Sequence, residues 1–204
     1  MTGQIFTRNE RRVNWVRVLW RKFYKLLRRV NAYGNFNDRQ DLIYNFLLNR
    51  EPNHEGLYLF EIWKFSSIEL ENTHNYIQWM FPTIEKSHYN RNVPVIKDID
   101  VFLNHPDREE IVINIRKSFQ LMLNFYGLEL KQDRIVKGTN YERRRKWWIT
   151  RNNHNYLRIT RILKCLDLFL LSNEKLLFTE ALNIIYNENK GVISEETYIY
   201  WMSA

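Results

Sequence analysis

One histidine stands at a spacing that could support acid–base or binding chemistry. His74 and Gln78 are four residues apart, and Glu71 precedes His74 by three, so on one helix all three would share a face. Histidine titrates near neutral pH, so this group could transfer a proton or contribute to a metal site. The alternative is a helix-face histidine that only bonds its neighbours. His74, Gln78 and the adjacent Trp79 are therefore candidate ligand-binding residues.

A second group of polar side chains lies further along the chain. His154 and Asn155 precede Arg158 and Arg161, and the two arginines are three residues apart on a predicted helix. Guanidinium groups donate paired hydrogen bonds and suit carboxylate or phosphate ligands. The same arginines could instead form ion pairs with acids on neighbouring helices. These four residues are also candidates for ligand binding.

Cations and aromatic residues lie side by side in residues 143–148, which read RRRKWW. This mixture fits phosphate contacts combined with base stacking, as in the binding of single-stranded nucleic acid. A solvated helix face whose tryptophans pack inward would give the same pattern. Arg143, Arg144 and Arg145 are therefore candidates for contact with nucleic acid or another anionic surface.

The net charge of +8 is carried by one N-terminal segment. Residues 8–29 contain nine cations and one anion, whereas the rest of the chain is charge-balanced. Apolar residues from Val13 to Val30 recur at intervals of three and four, which predicts an amphipathic helix. Its apolar stripe could dock on the rest of the chain, pair with a second copy or lie on an anionic membrane. The cations on a different face are Arg17, Arg21, Lys25 and Arg28.

Known catalytic motifs do not occur in the sequence. There are only 6 glycines, and Walker A, GxGxxG, HExxH and GxSxG patterns are missing. The single cysteine, Cys165, excludes an intramolecular disulfide and Cys-based structural zinc, and it suits a reducing compartment. We therefore predict a non-catalytic protein without cofactor or metal. An enzyme that used His74, His154 and the arginines in one pocket would leave no such motif and stays an alternative.

The elements that must position these residues are predicted to be helices, and the fold class all-α. Only 6 glycines and 4 prolines occur in 204 residues, which disfavours turn-rich sandwiches and barrels. Neither a membrane-spanning apolar run nor a secretory signal is apparent, so we expect an intracellular protein, cytoplasmic or nuclear. The predicted helices of the body are residues 38–48, 66–79, 106–126, 141–151, 155–171, 172–187 and 194–201, with a polar connector at 128–139.

Two stretches resemble the paired signatures of the opioid growth factor receptor conserved region: HNYIQWMFP at residues 74–82 and NHNYLRITRILKCL at residues 153–166. Residues 118–130 and 140–148 resemble the helix between the signatures and the lead-in to the second one. The likeness covers roughly residues 38–203. It implies an intracellular helical domain of non-catalytic proteins that are described as receptors for an opioid growth-regulating peptide and are associated with the nucleus and negative control of proliferation.

We accordingly divide the chain into a basic amphipathic helix at residues 1–36 and an opioid growth factor receptor-like helical domain at residues 37–204. The first functional hypothesis is a binding module whose aromatic-rich groove, beside the two signatures, accepts a peptide or protein segment. The alternative is a protein that binds nucleic acid or an anionic membrane surface through residues 8–29, assisted by residues 143–148.

Overall fold

The structure is a computed structural model that describes residues 39–87 and 93–204. The predicted N-terminal helix, with Arg17, Arg21, Lys25 and Arg28, lies outside the described residues. Within them the chain forms ten helices and one hairpin. These are α1 (Asp41–Leu47), α2 (Leu59–Ile62), α3 (Ser67–Asn72), α4 (Ile77–Met80), α5 (Asp100–Leu103), α6 (Arg108–Tyr126), β1 (Leu128–Lys131), β2 (Arg134–Lys137), α7 (Tyr141–Trp148), α8 (Asn155–Leu168), α9 (Ser172–Glu188) and α10 (Glu195–Met202).

The start of α3 confirms the predicted capping box. The Ser66 hydroxyl accepts a hydrogen bond from the Glu69 amide at 3.3 Å, and the Glu69 carboxylate accepts one from the Ser66 amide at 2.7 Å. Ser194 opens α10 in the same manner, because its hydroxyl accepts the Thr197 amide at 3.1 Å. Both helices therefore begin where the sequence indicates.

The predicted helix over residues 66–79 is wrong, because α3 ends at Asn72 and a separate turn, α4, follows. Thr73 is extended, with φ −100° and ψ 132°. The last carbonyls of α3 accept hydrogen bonds from the buried guanidinium of Arg158, as a basic side chain at a helix C-terminus often does. His74 consequently lies in the α3–α4 linker and not on a helix face with Gln78.

The all-α prediction is correct for most of the described residues but misses a hairpin. Residues 128–137, predicted as a connector, form antiparallel strands in which Leu128 pairs with Lys137 and Lys131 with Arg134. Gly127 ends α6 with φ +78°, and a side chain there would lie 2.7 Å from the Tyr141 backbone. Each strand has only four residues, too few to show a clear alternating pattern.

The core surrounds α8, which packs against α9 and α10. The largest buried side chains include Trp79, Trp148 and Trp201, so the aromatic excess of the sequence is mainly used in packing. Cys165 is fully buried on α8, and burial raises the pKa of its thiol far above the ordinary value. No helix among the described residues has both the length and the apolar character to cross a membrane.

Candidate binding cleft

The two sequence signatures meet at a surface cleft of about 560 Å³. Its walls come from the α3–α4 linker, the start of α8 and α10. We call it the signature cleft and define it by six of its lining residues: His74, Gln78, His154, Leu157, Arg158 and Arg161. Five of these six were predicted from sequence as binding residues. A groove of similar size, about 530 Å³, is lined by Trp63 and Lys117 and contains none of the predicted residues.

Arg158 holds the two signatures together. Its side chain is only 5% exposed, and Nη1 donates to the Leu70 carbonyl at 3.0 Å and to Asn155 Oδ1 at 3.1 Å. Nη2 donates to the carbonyls of Glu71 and Thr73 at 3.3 and 2.9 Å. A buried cation needs such compensation for its lost hydration. The partners are mainly backbone carbonyls, and the ion pair with the Glu71 carboxylate is long, at 3.9 Å from Nη1 to Oε2.

The same arginine fixes the tautomer of His74. Arg158 Nη2 lies 2.9 Å from His74 Nδ1, and a guanidinium can only donate, so Nδ1 must accept. The proton of a neutral His74 is therefore on Nε2. The His74 ring also packs edge-to-face on His154, with ring centroids 5.2 Å apart. The structure thus brings together two histidines that are far apart in the sequence.

Glu71, near the end of α3, contacts both His154 and the first residue of α8. Its Oε1 lies 3.6 Å from His154 Nε2, and its Oε2 accepts a hydrogen bond from Asn155 Nδ2 at 3.1 Å. Burial, followed by the positive charge of Arg158, lowers the pKa of His154, while Glu71 opposes this effect. His154 is half-exposed and faces the cleft, whereas Asn155 is completely buried. Asn155 therefore supports the cleft from behind and does not present its amide to a ligand.

Gln78 and Trp79 also differ from the prediction in their exposure. The Gln78 amide, oriented with its NH2 group toward the linker, donates to the carbonyls of His74 and Asn75 at 3.2 and 3.1 Å. Trp79 is fully buried, and its Nε1 donates to His54 Nδ1 at 3.0 Å. The prediction that Trp79 contacts a ligand is corrected, because the side chain packs in the core beneath the cleft.

Arg161 has a different environment from Arg158. It is partly exposed, and its Nη1 donates to the Phe81 carbonyl at 3.1 Å. Burial lowers the pKa of its guanidinium. The sequence missed Leu157 as a lining residue, although it lies within the second signature and is 56% exposed. The sequence signal that could have identified this wall is a leucine one turn before Arg161 that lies outside the buried stripe of α8.

The predicted basic cluster lies on α7 and is partly engaged by its own neighbourhood. Arg143 is exposed, the Arg144 guanidinium lies 5.0 Å from the Trp147 ring centroid, and Arg145 Nη2 donates to Asn189 Oδ1 at 2.6 Å. These side chains are not part of the signature cleft. Their role toward anions stays a prediction.

The tryptophans of this cluster do not form a stacking platform. Trp148 is fully buried and donates Nε1 to the Tyr126 carbonyl at 3.1 Å. Trp147 is half-buried and already stacks with Arg144. The inward packing of tryptophans, which the sequence left open, is therefore what the structure shows. Binding of nucleic acid or of an anionic membrane through residues 8–29 stays a prediction, because these residues lie outside the described part of the chain.

The fold and the site define a mostly helical domain in which two signature motifs, joined by a buried arginine, form the walls of one cleft. The chain belongs to the opioid growth factor receptor family, because it matches the Opioid growth factor receptor (OGFr) conserved region over residues 38–202. This match confirms the resemblance that the signatures indicated.

Named relatives agree with this family assignment. The chain is 32% identical to Opioid growth factor receptor-like protein 1 of Rattus norvegicus over 148 residues, which cover 67% of this chain and 31% of the relative. It is 35% identical to the Opioid growth factor receptor of Homo sapiens over 105 residues, covering 48% of this chain and 14% of the relative. The chain thus spans less than a third of the length of these curated relatives. No solved structure matches it.

Proposed function

We propose that this domain is a non-catalytic binding module that accepts a peptide or protein segment in the signature cleft. The observation that carries the proposal is the convergence of both family signatures on one cleft, although the signatures are far apart in the sequence. The name of the human relative, Opioid growth factor receptor, supports a peptide ligand and offers opioid growth factor as a defined probe. We extend the same proposal to a cytoplasmic or nuclear location.

The shape and composition of the cleft suit a short segment of chain. Its volume of about 560 Å³ lies in the range of sites that enclose several side chains. Leu157 supplies an exposed apolar wall, while Arg161 and the histidines supply polar contacts at fixed positions. An apolar wall with few oriented polar groups is typical of specific binding sites.

The histidines support binding more than catalysis. Nδ1 of His74 is occupied by Arg158, and His154 lies beside Glu71. These contacts hold the linker against α8, and neither positions a histidine on a hydroxyl or thiol nucleophile. We therefore assign them to ligand contact and to the shape of the site.

A pair of matched leucine variants tests the proposal. Leu157 in the cleft and Leu176 on α9 are both 56% exposed, so Leu157→Ala and Leu176→Ala should have similarly small effects on stability. Peptides would be selected from a random 15-residue library with the wild-type protein, and opioid growth factor would be titrated in parallel by calorimetry. Burying a leucine side chain contributes about 1.5–3 kcal/mol. Leu157 is 56% exposed, so its burial by a peptide would contribute about half of this value. Leu157→Ala should therefore weaken peptide binding about three- to tenfold, whereas Leu176→Ala should not.

Equal binding by both variants would place the peptide elsewhere on the surface and overturn the assignment to this cleft. If neither the library nor opioid growth factor gives a ligand that the cleft variant weakens, the proposed function is wrong for this chain.

A further inference from the structure

We infer that the peptide enters the signature cleft with a carboxylate group and that Arg161 binds this carboxylate. The inference rests on the proposed function and adds the chemical class of the ligand group and the residue that recognises it. It separates two arginines of the same helix that the sequence could not distinguish.

The two terminal nitrogens of Arg158 have no N–H group left for a ligand. Its two terminal nitrogens make five contacts with protein acceptors: the carbonyls of Leu70, Glu71 and Thr73, Asn155 Oδ1, and His74 Nδ1. A guanidinium has five N–H groups, of which four belong to these nitrogens. Breaking its contacts would release the linker from α8, so this cation is structural.

Arg161 lines the same cleft with most of its donors available. Its hydrogen bond among the described residues is the one from Nη1 to the Phe81 carbonyl. The remaining N–H groups include those of Nε and Nη2, which form the edge that binds a carboxylate with two parallel hydrogen bonds. One turn earlier, Leu157 gives the apolar contact that the chain of a peptide needs.

Arg161 forms no salt bridge with the described acids, although the charge of Glu85 acts on its guanidinium and opposes the lowering of its pKa by burial. Glu85, the acid closest in sequence to the Phe81 carbonyl, is bound to Lys164 Nζ at 2.6 Å. Glu71 faces His154 and Asn155. The short undescribed stretch 88–92 contains no Asp or Glu. Within the described part of the chain, Arg161 forms no salt bridge.

A carboxylate matches this environment better than a dianion. Arg161 is a partly buried cation in direct contact with none of the described acids, so one bound negative charge would pair with it, and its planar donor edge fits the two oxygens of a carboxylate. The other cation, Arg158, is shielded from a ligand by its own acceptors. Burial opposes the charged form of Arg161, and a bound carboxylate would favour it.

The test uses matched peptides and the whole 204-residue chain. Library peptides that bind the cleft would be synthesised in three forms: with a free C-terminal carboxylate, with a C-terminal amide, and with each Asp or Glu replaced by Asn or Gln. Affinities would be measured by fluorescence anisotropy for wild type, Arg161→Gln and Arg161→Lys. Arg134→Gln is the charge-matched control, because Arg134 is exposed on β2 outside the cleft.

Removal of one particular carboxylate should weaken binding to wild type about tenfold, the value expected for a charge-assisted pair. Arg161→Gln should lose this discrimination, Arg161→Lys should keep part of it, and Arg134→Gln should keep all of it. The form that loses affinity identifies the carboxylate as terminal or side-chain. If Arg161→Gln is too unstable to measure, the Lys variant still tests whether the planar fork matters.

Two other outcomes would count against the inference. Peptides that depend on Leu157 but bind equally as acids and amides would overturn the carboxylate assignment and leave the proposed function intact. An absence of any cleft-dependent peptide would overturn both.

Discussion

Replacement of Arg158 by Met should lower the free energy of unfolding by about 3 kcal/mol. Methionine keeps most of the apolar length of the side chain, so the change removes mainly the five donated contacts. The Leu70 carbonyl retains a partner, because it also accepts the Tyr76 hydroxyl at 2.9 Å. The carbonyls of Glu71 and Thr73 lose the donor that the described residues provide.

The magnitude follows from these two carbonyls. A hydrogen bond to a charged donor contributes about 1.5–3 kcal/mol, which gives about 3–6 kcal/mol for the pair. Glu71 and Thr73 are only half-buried, so water can replace part of the loss and the lower end applies. A loss of this size is a large share of the stability of a typical domain.

Urea unfolding followed by tryptophan fluorescence would measure the effect. The matched control is Arg161→Met, which loses one described hydrogen bond, to the Phe81 carbonyl, and on the same scale should cost about 1.5 kcal/mol. If Arg158→Met is no more destabilising than Arg161→Met, the structural role assigned to Arg158 is wrong. Retained stability would also mean that the α3–α4 linker is held by its own contacts.

Three further predictions concern other parts of the chain. The pKa of His154 is lowered from its ordinary value of 6.5, so near and below that pH the unfolded chain binds a proton more readily than the folded chain. The contribution of His154 to stability should therefore be complete above pH 6.5 and decrease as the pH falls below it. Urea midpoints measured at about pH 7.5 and 5.5 should differ less for His154→Gln than for wild type. Equal pH dependence in both proteins would contradict this. Gly127→Ala should lower the free energy of unfolding by at least about 2 kcal/mol, because Gly127 has φ +78° and a Cβ would lie 2.7 Å from the Tyr141 backbone; a neutral effect in thermal unfolding would refute the tight contact. If residues 8–29 bind nucleic acid, the affinity for a single-stranded oligonucleotide should fall steeply with salt. Replacing Arg17, Arg21, Lys25 and Arg28 by glutamate should abolish this binding, while Arg143→Glu should have a smaller effect. Salt-independent binding would exclude this mode.

Local signals in the sequence were sufficient wherever the structure depends on neighbouring residues. The Ser66–Glu69 capping box, the Gly127 stop and the Ser194 cap are all confirmed, because each involves hydrogen bonds or backbone torsions within a few residues. The signatures likewise identified the family, since they are continuous stretches of chain. The hairpin after Gly127 was missed because each strand has only four residues, and such a short strand is stable only when it pairs with its partner.

The function of each arginine required the tertiary structure. From sequence, Arg158 and Arg161 are equivalent cations three residues apart on one helix. Only the fold brings the end of α3 onto Arg158, where backbone carbonyls saturate it, and leaves Arg161 at the cleft with donors available. The sequence by itself therefore determined which residue types gather near the site. Long-range packing decided that Arg158 is bonded within the fold and that Arg161 lines the cleft, because burial and hydrogen-bond partners come from distant segments.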